Sequence, residues 1–182
     1  LFSCFWANVY LVCMPAWTIR YEGKDKLDNK KQYIIVANHQ SQLDILVAYG
    51  LFFPFKWVSK IEVFKIPFIG WNMTINRYIK LKRGDKESVK QMMKECEKAI
   101  DQGCSIFFFP EGTRSLTGDV RPFKSGAFHL AKKKGVPILP IAISGTREAL
   151  PKNSLVLHKN HKIVLKVLDE IPALDVKSCE TF

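Results

Sequence analysis

The sequence is short of acids. It sets 17 Asp and Glu against 28 Lys and Arg, a formal charge of +11, which directs attention to phosphate-bearing partners: nucleic acid, anionic lipid headgroups or phosphorylated small molecules. It has no CxxC pair, and its five cysteines (Cys4, Cys13, Cys96, Cys104 and Cys179) are odd in number. A disulfide framework is thereby disfavoured, and reduced thiols facing the cytosol are the simplest expectation. No serine sits in a G-x-S-x-G setting, which argues against a nucleophile elbow. Repeats, low-complexity tracts and a dividing linker are also missing. What remains is 182 residues, 47% hydrophobic and 12% aromatic, enough to bury one core without metal or disulfide staples and too apolar for a disordered chain.

Only one long run lacks charge. "LFSCFWANVYLVCMPAW" extends from Leu1 to Trp17, and the first cation is Arg20. That length lies at the lower limit for spanning a bilayer. Trp6, Tyr10 and Trp17 suit an interfacial belt, and the Lys/Arg-rich sequence beyond suits the cytoplasmic side. Residues 1–20 are therefore expected to be a hydrophobic membrane-associated segment, spanning or interfacial, and residues 21–182 the folded domain. The chain begins without methionine, so the segment is expected to be the tail of a longer one; a cleaved signal peptide is disfavoured by the lack of a basic leader.

Within the domain, strands and helices alternate. "KQYIIVAN", "KWVSK", "NRYIKL", "SIFFFP", "VPILPIAIS" and "HKIVLKVL" read as strands. "SQLDILVAYGLFF" has helical length with Ser41 as N-cap. "DKESVKQMMKECEKAIDQG" is the clearest helix, capped by Asp85, closed by Gly103, with Val89, Met92, Met93, Cys96 and Ile100 at helical spacing. "SGAFHLAKKKG" is a shorter helix stopped by Gly135, and Pro67 and Gly70 make "IEVFKIPFIGW" a loop or broken helix. The expected fold is α/β: a mixed, partly parallel sheet flanked by helices, with its site beyond the carboxyl ends of the strands.

Two motifs fall at such ends. In "VANHQSQLD", His39 and Asp44 are five residues apart; a continuous helix would separate them by about 140°, so a turn into a helix start is the better explanation. Asp44 can then hold one ring nitrogen and leave the other to accept a proton. In "FFFPEGTRSLTGDVRPFKSGAF", Arg114, Arg121 and Lys124 suit phosphate oxygens, and Gly112 allows close backbone approach. Glu111 can hold a substrate hydroxyl or anchor the loop. Lys60 and Arg83 follow two further strands and, with Arg114, could ring one anionic group. "HKNH" (His158, His161) lacks companion ligands and reads as a turn, so no metal site is expected.

These residues resemble the glycerolipid acyltransferases, and within them the 1-acyl-sn-glycerol-3-phosphate acyltransferases. The resemblance rests on "NHQSQLD", "SKIEVFKIPFIG" followed by "KRGD", "FPEGTRS" and "VPILPIAI", in that order. It implies that His39 is the general base and Asp44 its orienting partner. Glu111, Gly112, Thr113 and Arg114 would form the acceptor and phosphate motif, with Lys60 and Arg83 as further contacts. The implied reaction moves a fatty acyl group from acyl-CoA or acyl-carrier protein to the sn-2 hydroxyl of lysophosphatidic acid, giving phosphatidic acid without a covalent enzyme intermediate or a cofactor. Anionic membrane lipids are implied partners, the cytoplasmic face of a membrane is the implied location, and Phe64, Phe68, Ile69 and Trp71 form an apolar set able to enter the leaflet.

Three rivals stand beside this reading. One is an acyltransferase for another acceptor: glycerol 3-phosphate, a different lysophospholipid or a lipid A precursor. A second is a serine hydrolase or thioesterase using the same His and Asp with Ser41, Ser115 or Ser125. The third is a non-catalytic basic module; its nucleic-acid version is disfavoured because the aromatics lie in apolar strands rather than among the cations.

Overall fold

The computed structural model describes residues 2–13, 17–152, 158 and 160–176. Among these, helix α1 (Phe2–Cys13) leads into strand β1 (Trp17–Glu22). Then come β2 (Ile34–Ala37), α2 (Leu43–Tyr49), β3 (Phe55–Lys60), α3 (Ile69–Ile75), β4 (Ile79–Leu81), α4 (Lys86–Asp101), β5 (Ser105–Phe108), α5 (Gly126–Lys134), β6 (Ile138–Ser144), the single turn α6 (Thr146–Ala149) and β7 (His161–Val167). The strands form one sheet in the order β1-β7-β6-β2-β5-β3-β4. From β6 to β4 every pairing is parallel. β7 runs antiparallel to β6, and β1 is parallel to β7. The expected mixed, partly parallel α/β sheet is the observed one.

Hydrophobic alternation explains the layers. In β2, Ile35 and Ala37 face one core with Leu43, Val47 and Ala48 of α2 and Leu11 of α1. Ile34 and Val36 face the other, with Met92, Cys96, Ala99 and Ile100 of α4 and Leu130 of α5. Successive strand side chains point to opposite faces, so a strand covered on both sides reads as an unbroken apolar run. β2 and β5 are wholly buried for this reason. Asp85 caps α4 by accepting the Ser88 amide at 3.1 Å, as its sequence predicts, and Gly135 closes α5 in the left-handed conformation.

Several boundaries differ from the sequence expectation. The segment drawn as hydrophobic to residue 20 includes Trp17–Arg20, which are the first residues of β1 and pair with β7. Trp17 is no belt residue: it is buried and its indole donates to the His158 carbonyl at 2.8 Å. Trp6 is exposed; the Tyr10 and Cys13 side chains, Lys159 of "HKNH" and Cys179 lie outside the described residues. No described helix is long and apolar enough to cross a membrane. The "IEVFKIPFIGW" stretch makes a 3-10 turn over Ile61–Lys65 and then α3. Gly70 is needed there, because a Cβ would come within 2.0 Å of the Phe64 carbonyl oxygen. Phe64 itself is half-buried against the core, whereas Phe68, Ile69 and Trp71 are exposed as expected.

Candidate active site

The register of the central strands assembles the site. β2 pairs β5 with Val36 opposite Phe108, so three residues further on His39 stands level with Glu111. Asn38 holds the end of β2 to β6 with its side chain: the Ile143 amide donates to its Oδ1, and its Nδ2 donates to the Ile143 carbonyl, both at 2.8 Å. The chain then turns through Gln40–Gln42 before α2 begins at Leu43. Ser41 is not a conventional cap. Its hydroxyl accepts the Leu43 amide at 3.2 Å and donates to the Leu150 carbonyl at 2.6 Å.

That turn lets Asp44 fold back. Its carboxylate is fully buried, with Oδ2 2.8 Å from His39 Nδ1 and accepting the amides of Gln40 and Ser41 at 2.7 and 2.9 Å. Oδ1 accepts the Thr146 hydroxyl at 2.6 Å. A carboxylate surrounded by donors acts as acceptor throughout, so the imidazole proton resides on Nδ1 and the Nε2 lone pair is free. Nε2 has no hydrogen-bond partner among the described residues. The ring is stacked on Phe109, with centroids 3.9 Å apart and planes 14° apart, and Phe109 is stacked on Trp57 at 5.4 Å. The aromatic column fixes the plane of the base, and Asp44 fixes its rotation. Deeper in the same cluster the Tyr49 and Tyr78 hydroxyls are paired at 2.9 Å. Burial pushes both phenols up, which suits them to packing rather than proton transfer.

Glu111 serves the loop. It is buried, its Oε1 accepts the His39 amide at 2.7 Å, and its Oε2 accepts the Arg121 amide at 3.0 Å. Both oxygens are thus given to backbone, the anchoring alternative of the two its sequence allowed. The His39 carbonyl in turn accepts the Ser115 amide at 2.8 Å. Gly112 adopts φ +71° and donates its amide to the Phe109 carbonyl at 2.9 Å, so that amide is not available to a ligand. The amides of Thr113 and Arg114 have no acceptor among the described residues. Lys124 is drawn over the turn: a Cβ on Gly112 would lie 2.9 Å from its Nζ.

The remaining cations line the same edge of the sheet. Arg114 is half-buried, its guanidinium unpaired among the described residues, and its carbonyl accepts Lys152 Nζ at 2.9 Å. Lys60 ends β3, which pairs β5 with Trp57 opposite Phe107, placing Lys60 level with Pro110. It lies two strands from His39, about 10 Å at the usual strand spacing, and it pairs with Glu62 at 3.4 Å. Glu62 is held below the usual carboxylate range, first by its own backbone amide and also by Lys60. Arg83 follows β4, one strand further out at about 14 Å. The structure therefore joins His39, Asp44 and Glu111 by direct hydrogen bonds, sets Thr113, Arg114 and Lys60 beside them, and leaves Arg83 exposed at the periphery.

Sequence reasoning missed Thr146, Asn38 and Phe109. Asn38 and Phe109 open the recognised motifs but read there as strand ends; Thr146 carries no local signal, because its partner is 102 residues away. The serines are committed elsewhere: Ser41 as above, and Ser115 Oγ accepts the Gly118 amide at 3.0 Å. No described serine hydroxyl bonds His39, so the hydrolase rival gains nothing from the geometry.

The family model described as Acyltransferase matches residues 18–144. The chloroplastic 1-acyl-sn-glycerol-3-phosphate acyltransferase of Arabidopsis thaliana is 39% identical over 163 residues, covering 88% of this chain and 45% of that protein. The 1-acyl-sn-glycerol-3-phosphate acyltransferase of Saccharomyces cerevisiae is 37% identical over 147 residues, covering 79% and 48%. Among solved structures, the 1-acyl-sn-glycerophosphate acyltransferase PlsC of Thermotoga maritima superposes with a TM-score of 0.85 at 28% identity, over 98% of this chain and 70% of that one. The chain spans less than half the length of these curated relatives.

Proposed function

The chain belongs to the acyltransferase family, and on that premise we propose that it transfers a fatty acyl group from a thioester donor to the sn-2 hydroxyl of lysophosphatidic acid. The observation that carries the proposal is the His39–Asp44 pair, with Nε2 free at the carboxyl edge of the sheet and the Arg114 guanidinium on the neighbouring loop. His39 Nε2 removes the proton of the acceptor hydroxyl. The alkoxide oxygen forms a bond to the thioester carbonyl carbon, the C–S bond breaks, and the leaving thiolate takes the proton back from the imidazolium. Asp44 stabilises that imidazolium without being protonated.

Arg114 and Lys60 hold the acceptor phosphate, Arg114 through its planar fork. Orientation of this kind can supply roughly 7 kcal/mol of the barrier when alignment is good. The free amides of Thr113 and Arg114 are backbone donors available to either the phosphate or the oxyanion. The donor is acyl-CoA or acyl-carrier protein; both bring an anionic group to a basic surface.

The enzyme works at a membrane surface. Helix α1 (Phe2–Cys13) lies on the folded domain, with Leu11 in the core beside α2, which suits an interfacial seat. Ser3 of α1 donates to Asn72 of α3 at 3.1 Å, and both regions carry exposed apolar side chains: Phe5 and Trp6 on α1, and Phe68, Ile69, Trp71 and Ile75 at and along α3. Together they offer one apolar face to the leaflet that holds the acceptor, with anionic headgroups and the cytoplasmic side matching the excess of cations.

The test is thiol release from a long-chain acyl-CoA in detergent micelles, with lysophosphatidic acid, glycerol 3-phosphate or no acceptor. Release is expected to need lysophosphatidic acid and to fall about two to four orders of magnitude in His39→Ala, with folding unchanged. Release that needs no acceptor would instead assign a thioesterase.

A further inference from the structure

Resting on that reading, we propose that Thr146 is a positioning residue for the catalytic pair, setting the rotation of the Asp44 carboxylate so that Oδ2 meets the imidazole. Thr146 is fully buried, and its hydroxyl, 2.6 Å from Asp44 Oδ1, bonds no other described side chain. The other oxygen is saturated: Oδ2 meets His39 Nδ1 and the amides of Gln40 and Ser41. Those three donors belong to the same short turn as Asp44. Among the described residues, Thr146 is the one donor from elsewhere in the fold.

The threonine is held from behind. Gly145 precedes it at φ +82°, and a Cβ there would lie 2.0 Å from the carbonyl oxygen of Lys162 in β7. The Thr146 carbonyl accepts the Leu150 amide at 2.9 Å, and Leu150 in turn receives the Ser41 hydroxyl. Strand β6, already joined to β2 through Asn38, thus carries a rigid arm back over the dyad. A pivot about the Cβ–Cγ axis moves both oxygens; Oδ2 is held only by its own turn, which can shift with it, whereas the Thr146 bond to Oδ1 ties the carboxylate to a separate part of the fold. The charged groups bonded to His39 are Asp44, on the ring, and Glu111, on the backbone amide. Thr146 acts on the first alone.

The experiment follows the His39 ring by NMR as a function of pH in wild type, Thr146→Val and Thr146→Ser, alongside acyl-transfer kinetics. Thr146→Val removes the hydroxyl at constant shape. It is expected to move the His39 titration by about one pH unit, the equivalent of one hydrogen bond to a charged group, and to lower turnover about tenfold. The Michaelis constants for both substrates stay unchanged, and Thr146→Ser restores the wild-type values. A displacement in either direction supports the proposal: upward if the carboxylate stays on Nδ1 with its charge less shared, downward if it turns off the ring. A folded Thr146→Val with an unmoved His39 titration overturns it. If that variant does not fold, the wild type decides: a Thr146 hydroxyl proton protected from exchange supports the role, and one exchanging as fast as free threonine overturns it. Because the titration needs no substrate, wild type that transfers no acyl group while His39 still responds to Thr146 would refute the acyltransferase reading and leave the positioning role standing.

Discussion

Replacing Glu111 by glutamine separates a residue that holds the fold of the site from one that holds substrate. In the structure both carboxylate oxygens accept main-chain amides, from His39 and from Arg121, in a side chain only 5% exposed. Glutamine keeps the shape but presents an NH2 group where one oxygen was. One amide then faces a donor instead of an acceptor, and the other bonds a neutral oxygen. Losing a hydrogen bond to a charged group costs roughly 1.5–3 kcal/mol, and the orphaned buried amide costs about as much again when it finds no water, so about 3 kcal/mol is the low end of the expected loss. For a domain of this size that corresponds to a fall in Tm of roughly 6–12 °C. Differential scanning fluorimetry reads it directly. Turnover should fall as well, because the released amide belongs to His39. A substrate-binding role for Glu111 gives the opposite pattern: an unchanged Tm and a raised Michaelis constant for the acceptor. That pattern would refute the anchoring argument.

Gly145→Ala combines left-handed strain of about 1–2 kcal/mol with a backbone clash, and it should lower stability by more than about 2 kcal/mol, read from a urea midpoint; a neutral result would contradict the packing of α6 on β7. Phe68 is 76% exposed at φ +62°, so Phe68→Gly should leave Tm unchanged or higher while weakening binding to phosphatidylglycerol vesicles about tenfold or more, given the worth of one buried phenylalanine. Unaltered sedimentation with vesicles would remove α3 from the docking face. Arg114→Ala should raise the Michaelis constant for the phosphorylated acceptor at least about tenfold, the loss of a charge-assisted hydrogen bond; an unchanged constant would count against its phosphate contact.

The elements legible in the sequence are those whose signal is local. α4 was readable because its cap, its apolar stripe and its terminal glycine all lie within one stretch. β2 and β5 were readable because strands buried on both faces must be apolar at every position. β1 was not, because "WTIRYE" is half-exposed and adjoins an uncharged run that looks continuous with it. α2 came out shorter than expected, Leu43–Tyr49, because it stops at Gly50 and Phe52 takes a positive φ of 54°, which ends the helix before Phe53.

The chain by itself determined the chemistry available: an imidazole with a carboxylate five residues on, a phosphate-matched arginine after a buried strand, and alternating elements that bring strand ends together. The pairing of His39 with Asp44 needs only the turn between them, so a sequence can carry it. The anchoring by Glu111, the hold of Thr146 on Asp44 and the burial of Trp17 were decided by the tertiary structure alone. Those contacts join residues 72, 102 and 141 positions apart. Each depends on which strands become neighbours and in what register, and strand order is settled by the burial of the whole core rather than by the periodicity of any one segment.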